Sequence, residues 1–313
     1  MLRATLCLAV LLPLLELGAH AWIVGHVPAL ADYRAASDFI RAELQPHDLV
    51  TAAPSFIDPI LRWQLGDKIP LAMAGRSDEA GYDRLWVLSS RGARPALDST
   101  PLAAAELTRD FGELQVLRYR LPQREVLFDF VKAWPQAEAA AIRGGSTQPC
   151  RLQQGGSPRG GGLGRGVLMP VRRRFECDAR NPWLFIADVV MEDLDNTPRY
   201  CVWQHPQGTE PITLTYRDVP LGSELVFAGG LYYEHERMRE GAPVDAVIAV
   251  DGSPLATLHH VDGDGWKRLH IATAALGKTR GDVSIAVSSS QPQARSFCWA
   301  ASTRQAPEPG PQP

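Results

Sequence analysis

"GDGWKRLHIATAALGKTRGDVSIAVSS", residues 263–289, decides between two architectures. Its centre, "ATAALGKT" at 272–279, ends in the Gly-Lys-Thr of a phosphate-binding loop, which would put a strand before it and a helix after it. That loop needs glycine at its first position, and Ala272 stands there. What flanks it reads as β on both sides, Lys267–Ile271 and Val283–Val287. The stretch is therefore strand, turn and strand, and no nucleotide cradle is expected.

The same pattern continues outward. Trp183–Val190, Tyr200–Trp203, Ile212–Tyr216, Leu225–Tyr233, Val244–Val250 and Ser296–Ala300 are further strand-like runs, separated by turn signals such as Asp251-Gly252 and Asp262-Gly263-Asp264-Gly265. Short strands at regular spacing with little helix predict an all-β sandwich over residues 167–304. The quoted stretch resembles the closing hairpins of galactose-binding-like jelly-roll modules, in which a tryptophan precedes a strand and a final strand pair closes the sheet. That resemblance covers residues 205–303.

Upstream the periodicity changes. Asp32–Leu44 carries Tyr33, Ala36, Phe39, Ile40 and Leu44 near 3.6-residue spacing and reads as an amphipathic helix. Pro46-His47-Asp48 ends it, and Leu49–Ala53 follows as a short buried strand. Ser55 caps a helix over Phe56–Leu65, Arg84–Ser89 is a strand, Pro101–Phe111 a helix and Leu114–Leu121 a strand. Strands alternating with helices predict a small α/β domain with parallel strands over residues 32–135. "DYRAASDFIRAELQPHDLVTAAP" (32–54), directly after an apolar helix, resembles the extracytoplasmic C-terminal region of bacterial GT-C-type (glycosyltransferase family 39-like) membrane glycosyltransferases. "FGELQVLRYRLP" (111–122) is similar to the closing strand of that domain, and the resemblance covers residues 5–135. It implies a cell-envelope protein and a possible multi-span membrane partner. It implies no catalytic residue here, because that family's chemistry uses many spans and an acidic residue in the first external loop, and this chain offers a single apolar span.

The N-terminal residues 1–31 read two ways. Leu6–Leu15 with Ala19-His20-Ala21 fits a signal peptide cleaved near Ala21. Counted from Thr5 to Val27 the apolar stretch is 23 residues, about 35 Å of helix and enough to span a bilayer as a signal anchor. Glu16 and His20 lie four apart, share a helix face and are costly at membrane depth unless something shelters them. Both readings send the rest of the chain out of the cytoplasm, and the anchored form is the expectation.

Cysteines agree with that location. Cys7 lies in the apolar segment, leaving an even set without metal-site spacing, so disulfides Cys150–Cys177 and Cys201–Cys298 are expected and no metal or other cofactor is. A net charge of −3 over 313 residues supplies no basic field for nucleic acid, and Arg172-Arg173-Arg174 reads as a solvated strand end. The segment 136–166, with "GGSTQPCRLQQGGSPRGGGLGRG" at 144–166, reads as a flexible linker, and residues 305–313 as a disordered tail.

No catalytic set assembles from spacing. The candidate ligand residues are Asp58, Arg62, Arg76 and Asp78 in loops after the first strand, together with Trp203, which could join Trp266 and one of Tyr232 and Tyr233 in a sugar-stacking platform. Core packing is the expected role of Trp183 and Trp266. Asp262 and Asp264 read as a hairpin turn rather than a calcium loop. The leading expectation is a non-catalytic envelope protein that binds a glycan or lipid-linked sugar. The alternatives are a split-off subunit of a multi-span transferase and a secreted hydrolase using Asp58 or Asp78.

Overall fold

The computed structural model describes residues 2–95, 97, 102–122, 124–154, 173–181 and 183–305, with side chains from residue 12 onward. The expected tail at 306–313, Arg172 and the later part of the glycine-rich segment lie outside the described residues. An N-terminal apolar helix precedes a small α/β sheet and a large β-sandwich. The chain divides into two units, Met1–Pro70 with Tyr82–Pro122 and Leu71–Gly81 with Gln123–Pro313.

The first unit opens with α1 (Leu2–Gly25), whose described side chains are exposed. A helical stretch beginning near the N-terminus is long and apolar enough to cross a membrane. Next come α2 (Leu30–Glu43), β1 (Asp48–Ala53), α3 (Asp58–Leu65), β2 (Arg84–Ser90), β3 (Leu107–Phe111) and β4 (Leu114–Arg120). The sheet order is β1-β2-β4-β3. Only β1 and β2 run parallel; β4 is antiparallel to both its neighbours. Of the helix expected over Pro101–Phe111, Pro101 lies outside the described residues and 102–111 are instead coil running into β3. Its Ala-rich start favours helix, but Gly112, at φ 59, turns the chain into a two-residue hairpin that pairs Phe111 with Leu114. Arg109 then lies over the rings of Phe39, 4.5 Å to its centroid, and Phe111.

One carboxylate organises this unit. Asp48, buried at the start of β1, accepts from Arg84 Nε at 2.7 Å, Trp86 Nε1 at 2.9 Å and the Gln45 amide at 2.8 Å. Burial alone would raise its pKa, but the bonds from Arg84, Gln45 and Trp86 outweigh it and hold the carboxyl below the usual range.

The second unit begins with α4 (Leu71–Ala74), then β5 (Glu125–Asp129), α5 (Phe130–Ala133), β6 (Glu138–Arg143), β7 (Ser146–Pro149), β8 (Arg151–Gln154) and β9 (Arg173–Glu176). It continues through β10 (Phe185–Glu192), β11 (Pro198–Gln204), β12 (Ile212–Pro220), β13 (Glu224–Leu231), α6 (Tyr233–Met238) and β14 (Val244–Val250). β15 (Ser253–His260), β16 (Lys267–Ala272), β17 (Arg280–Ser288) and β18 (Phe297–Gln305) complete it. One sheet runs β16-β13-β18-β11-β10-β9-β8, with β5 also on β18; the other runs β15-β14-β17-β12-β6-β7. The sandwich thus starts well before residue 167. The expected linker contributes three strands, because Ala139 and Ala141 are small enough to face the core and Gly144-Gly145, both at positive φ, make a tight hairpin turn.

Cys150 is the single residue between β7 in one sheet and β8 in the other. It is disulfide-bonded to Cys177, and Cys201 on β11 to Cys298 on β18. Between the sheets the Gln204 side chain donates to Ile212 O at 2.8 Å and Ile285 O at 3.2 Å and accepts from Trp299 Nε1 at 2.8 Å, with both side chains fully buried.

Two measurements check these anchors. Asp48→Asn should destabilise the first unit by about 2–4 kcal/mol in denaturant unfolding, since it leaves a half-buried cation and a buried indole underpaired. Because the folded carboxyl is depressed, the wild-type contribution is whole at neutral pH and is lost as pH falls below about 4, so the two proteins should converge in acid. Gln204→Leu should cost about 2–4 kcal/mol by stranding two buried carbonyls and the Trp299 N–H.

Candidate functional site

Alternation along β11 places Gln204 toward the second sheet and so turns Trp203 and Cys201 to the opposite face. Trp203 stacks on Phe185, with ring centroids 5.6 Å apart and planes 7° from parallel. His205, just beyond the strand, sets its ring 6.2 Å from Trp203 and 4.7 Å, edge-on, from Trp183. Trp183 is 42% exposed, whereas Trp203 and His205 are each buried. The expectation that Trp183 is core and Trp203 open is therefore reversed. Trp183 follows a turn at Asp178–Asn181 and ends before β10 begins, outside the pleat that would have buried it.

Other loops converge on the same end of the sandwich. Tyr232 follows β13, and its ring packs edge-on against Tyr233 at 4.6 Å and His235 at 5.7 Å. The chain enters α6 there, so the two tyrosines meet rather than facing opposite ways as strand alternation implied. Ser296, before β18, donates its amide to His235 Nδ1 at 3.4 Å and accepts from the Tyr232 amide at 3.0 Å. Arg295 is fully buried and ion-paired with Asp262, which also accepts from the Gly241 amide at 3.1 Å. A Cβ at Gly241 would fall 1.8 Å from the Arg295 guanidinium, so this close approach requires glycine. Glu236, inside α6, accepts from the Gly265 amide at 2.6 Å with His260 Nε2 at 3.2 Å.

The electrostatics are those of a neutral site. Burial above all, with His235 and Arg295 nearby, outweighs the bond to the Pro206 carbonyl and brings the His205 imidazole down to about 4. Its Nδ1 donates to Pro206 O at 2.8 Å, which leaves Nε2 as the acceptor. His235 is also lowered, by burial first and then by Arg295. Its Nδ1 accepts from Ser296, so its Nε2 carries the proton. The site therefore offers one exposed indole, a neutral acceptor, a neutral donor and a cation already matched by Asp262.

The residues expected to form one ligand site are divided between the two units. Asp58 and Arg62 pair with each other along α3 in the first unit. Arg76 and Asp78 belong to the second, where Arg76 donates to Met73 O at 3.3 Å. Asp78, buried, bonds Arg304 at 2.6 Å, with Arg268 at 4.0 Å. Burial alone would raise the Asp78 carboxyl, but the charge and hydrogen bond of Arg304, the Ala80 amide and Arg268 hold it below its usual range. Asp264 serves the turn, accepting from the Val261 amide at 3.0 Å and from Lys267 at 2.8 Å, whereas Asp262 reaches out of it to Arg295 and the Gly241 amide. Among the described residues no group of His, Cys, Asp and Glu could hold a metal ion.

No family model and no curated protein matches the chain. Among solved structures, a Clostridium perfringens ZmpB fragment, CBM51-2 with GlcNAc and INT domains, is 15% identical with a TM-score of 0.31, covering 39% of this chain and 26% of that one. CBM51 from C. perfringens GH95 in complex with methyl-galactose is 8% identical with a TM-score of 0.28, covering 37% and 81%. This chain thus spans about a quarter of the first of these, and likenesses of this size assign neither ligand nor activity.

The histidine electrostatics set a sign for pH dependence. A depressed folded-state His205 binds fewer protons than the unfolded chain between about 4 and 6.5, so stability should fall as pH drops through that window, by about 2–3 kcal/mol. His205→Gln should flatten that slope in denaturant titrations, while an unchanged slope would mean that the imidazole titrates freely.

Proposed function

We propose that this chain is a non-catalytic cell-envelope protein, held at the membrane by α1, that binds a free or lipid-linked glycan at the loop end of its sandwich. The observation that carries the reading is Trp183, an open indole face edged by the neutral His205 imidazole. A flat apolar surface with adjacent hydrogen-bonding groups suits a pyranose ring. With Arg295 matched by Asp262, the site favours an uncharged sugar over an acidic one. The nearby carboxylates Asp262 and Glu236 are engaged by protein donors, and Asp58 and Asp78, the carboxylates of a hydrolase reading, are each bound to arginine in separate units. Two disulfides fit an oxidising compartment.

A second reading rests on α1. Glu16 and His20, one turn apart and both exposed, are costly in lipid and would be sheltered by a multi-span partner, such as a transferase of the kind that residues 5–135 resemble. Co-purification of such a protein with the wild type but not with Glu16→Leu/His20→Leu would favour it.

A glycan array followed by calorimetric titration tests the main reading. Trp183→Ala should weaken binding tenfold to a hundredfold, about 1.4–2.8 kcal/mol, with the melting temperature unchanged because the side chain is half open. Wild-type protein that retains no glycan, or a variant that binds as well as wild type, would sink it.

A further inference from the structure

We infer that the end of the α/β unit carrying Phe56 rests in the lipid interface. This rests on the proposed anchoring by α1. Residues 26–29 join α1 to α2, so four residues, at most about 14 Å of extended chain, separate the apolar helix from the folded unit. The unit cannot leave the membrane surface, and the N-terminus of α2 marks the end held nearest to it.

Topology puts Phe56 at that end. β1 ends with Ala53 beside Ser89 of β2, and the next residue, Ser90, pairs with Leu114 at the start of β4, so the C-terminal end of β1 lies at the level of the β3–β4 hairpin tip. That tip lies against the start of α2: a Cβ at Gly112 would fall 2.6 Å from the Asp32 carboxylate in the first turn of α2. Phe56 stands three residues after β1, while α3 leads away until Arg41, near the far end of α2, donates to Gln64 O.

Phe56 is 78% exposed and Trp63, two turns further along, 68% exposed. Large aromatics open to this degree in a folded unit favour the headgroup level of a bilayer, where their rings replace interfacial water. Two exposed cations stand at the same end. β1 and β2 are parallel with Ala53 beside Ser89, so the exposed Arg91 and Arg94 emerge level with Phe56. Among the described residues the acidic groups here are Glu113 on the hairpin tip, Asp110 beside it, which accepts from Gln115, Asp32, which accepts from the Ala29 amide at 3.0 Å, and Asp58, paired with Arg62. Phe56 is the deeper contact and Trp63 the shallower, with the two arginines placed for lipid phosphates.

The test uses the full chain reconstituted into vesicles whose acyl chains are brominated, against the same vesicles without bromine. The emission of residue 56 is read as Phe56→Trp minus wild type, and that of residue 63 as wild type minus Trp63→Phe. Both positions are exposed, so neither change threatens folding. The expected result is at least twofold quenching of the residue 56 signal, with less at residue 63. A chain that stays with the vesicles while neither signal is quenched, or only residue 63 is, would overturn the inference and leave the anchor standing. A chain that does not join the vesicles at all would overturn both.

Discussion

The second unit depends on one buried amide. Gln204 spends both its N–H groups on carbonyls of the facing sheet and its oxygen on the Trp299 indole, so every polar atom it brings inside is matched. A buried polar group satisfied this fully specifies register as well as stability, because a one-residue slip of β11 would leave its three partners unpaired. The same constraint builds the candidate site. With Gln204 turned inward, Trp203 is turned outward onto Phe185, and His205 beyond it meets Trp183. Cys201, on the outward face too, is covalently fixed to Cys298, so the strand that orients the site is held by hydrogen bonds on one face and a disulfide on the other.

The disulfides divide the rest of the work. Cys201–Cys298 closes 97 residues and joins neighbouring strands of one sheet; Cys150–Cys177 closes 27 at the point where the chain crosses between sheets. By loop-closure entropy these constrain the unfolded chain by about 4–5 and 3–4 kcal/mol, an appreciable part of a typical domain's stability. Both lie in the unit that presents the exposed indole, whereas the first unit relies on the Asp48 clasp.

Where the sequence was informative, local periodicity and tertiary environment agreed. The strands around Val244–Val250 and Ile212–Tyr216, the amphipathic helix after residue 30 and the turn at Ala272–Thr279 were legible because each carries its own turn chemistry and apolar pattern. Residues 138–154 were not, because "EAAAIR" has the composition of a helix and becomes a strand only through pairing with β12. α6 was hidden in the same way: "LYYEHERM" continues a strand pattern until Glu236 is drawn inside to meet the Gly265 amide.

The site was only partly legible, for an electrostatic reason. Charged residues clustered in sequence invite a ligand reading, but Asp78 finds its partner at Arg304, more than two hundred positions away. No spacing rule connects them, and burial of both makes the pair structural: removing either would strand a charge. The converse holds for Trp183. Its apolar character argues for the core, and only the turn that ends before β10 leaves it open. A surface that took the proposed uncharged ligand would keep its charges matched and its histidines neutral, because a fixed net charge would penalise such a ligand through desolvation without a compensating contact. Arg295 with Asp262, and two imidazoles lowered by burial, meet that condition. The buried ion pairs and the exposed indole are thus two sides of one arrangement, in which polarity is satisfied inside so that an apolar face can be left outside.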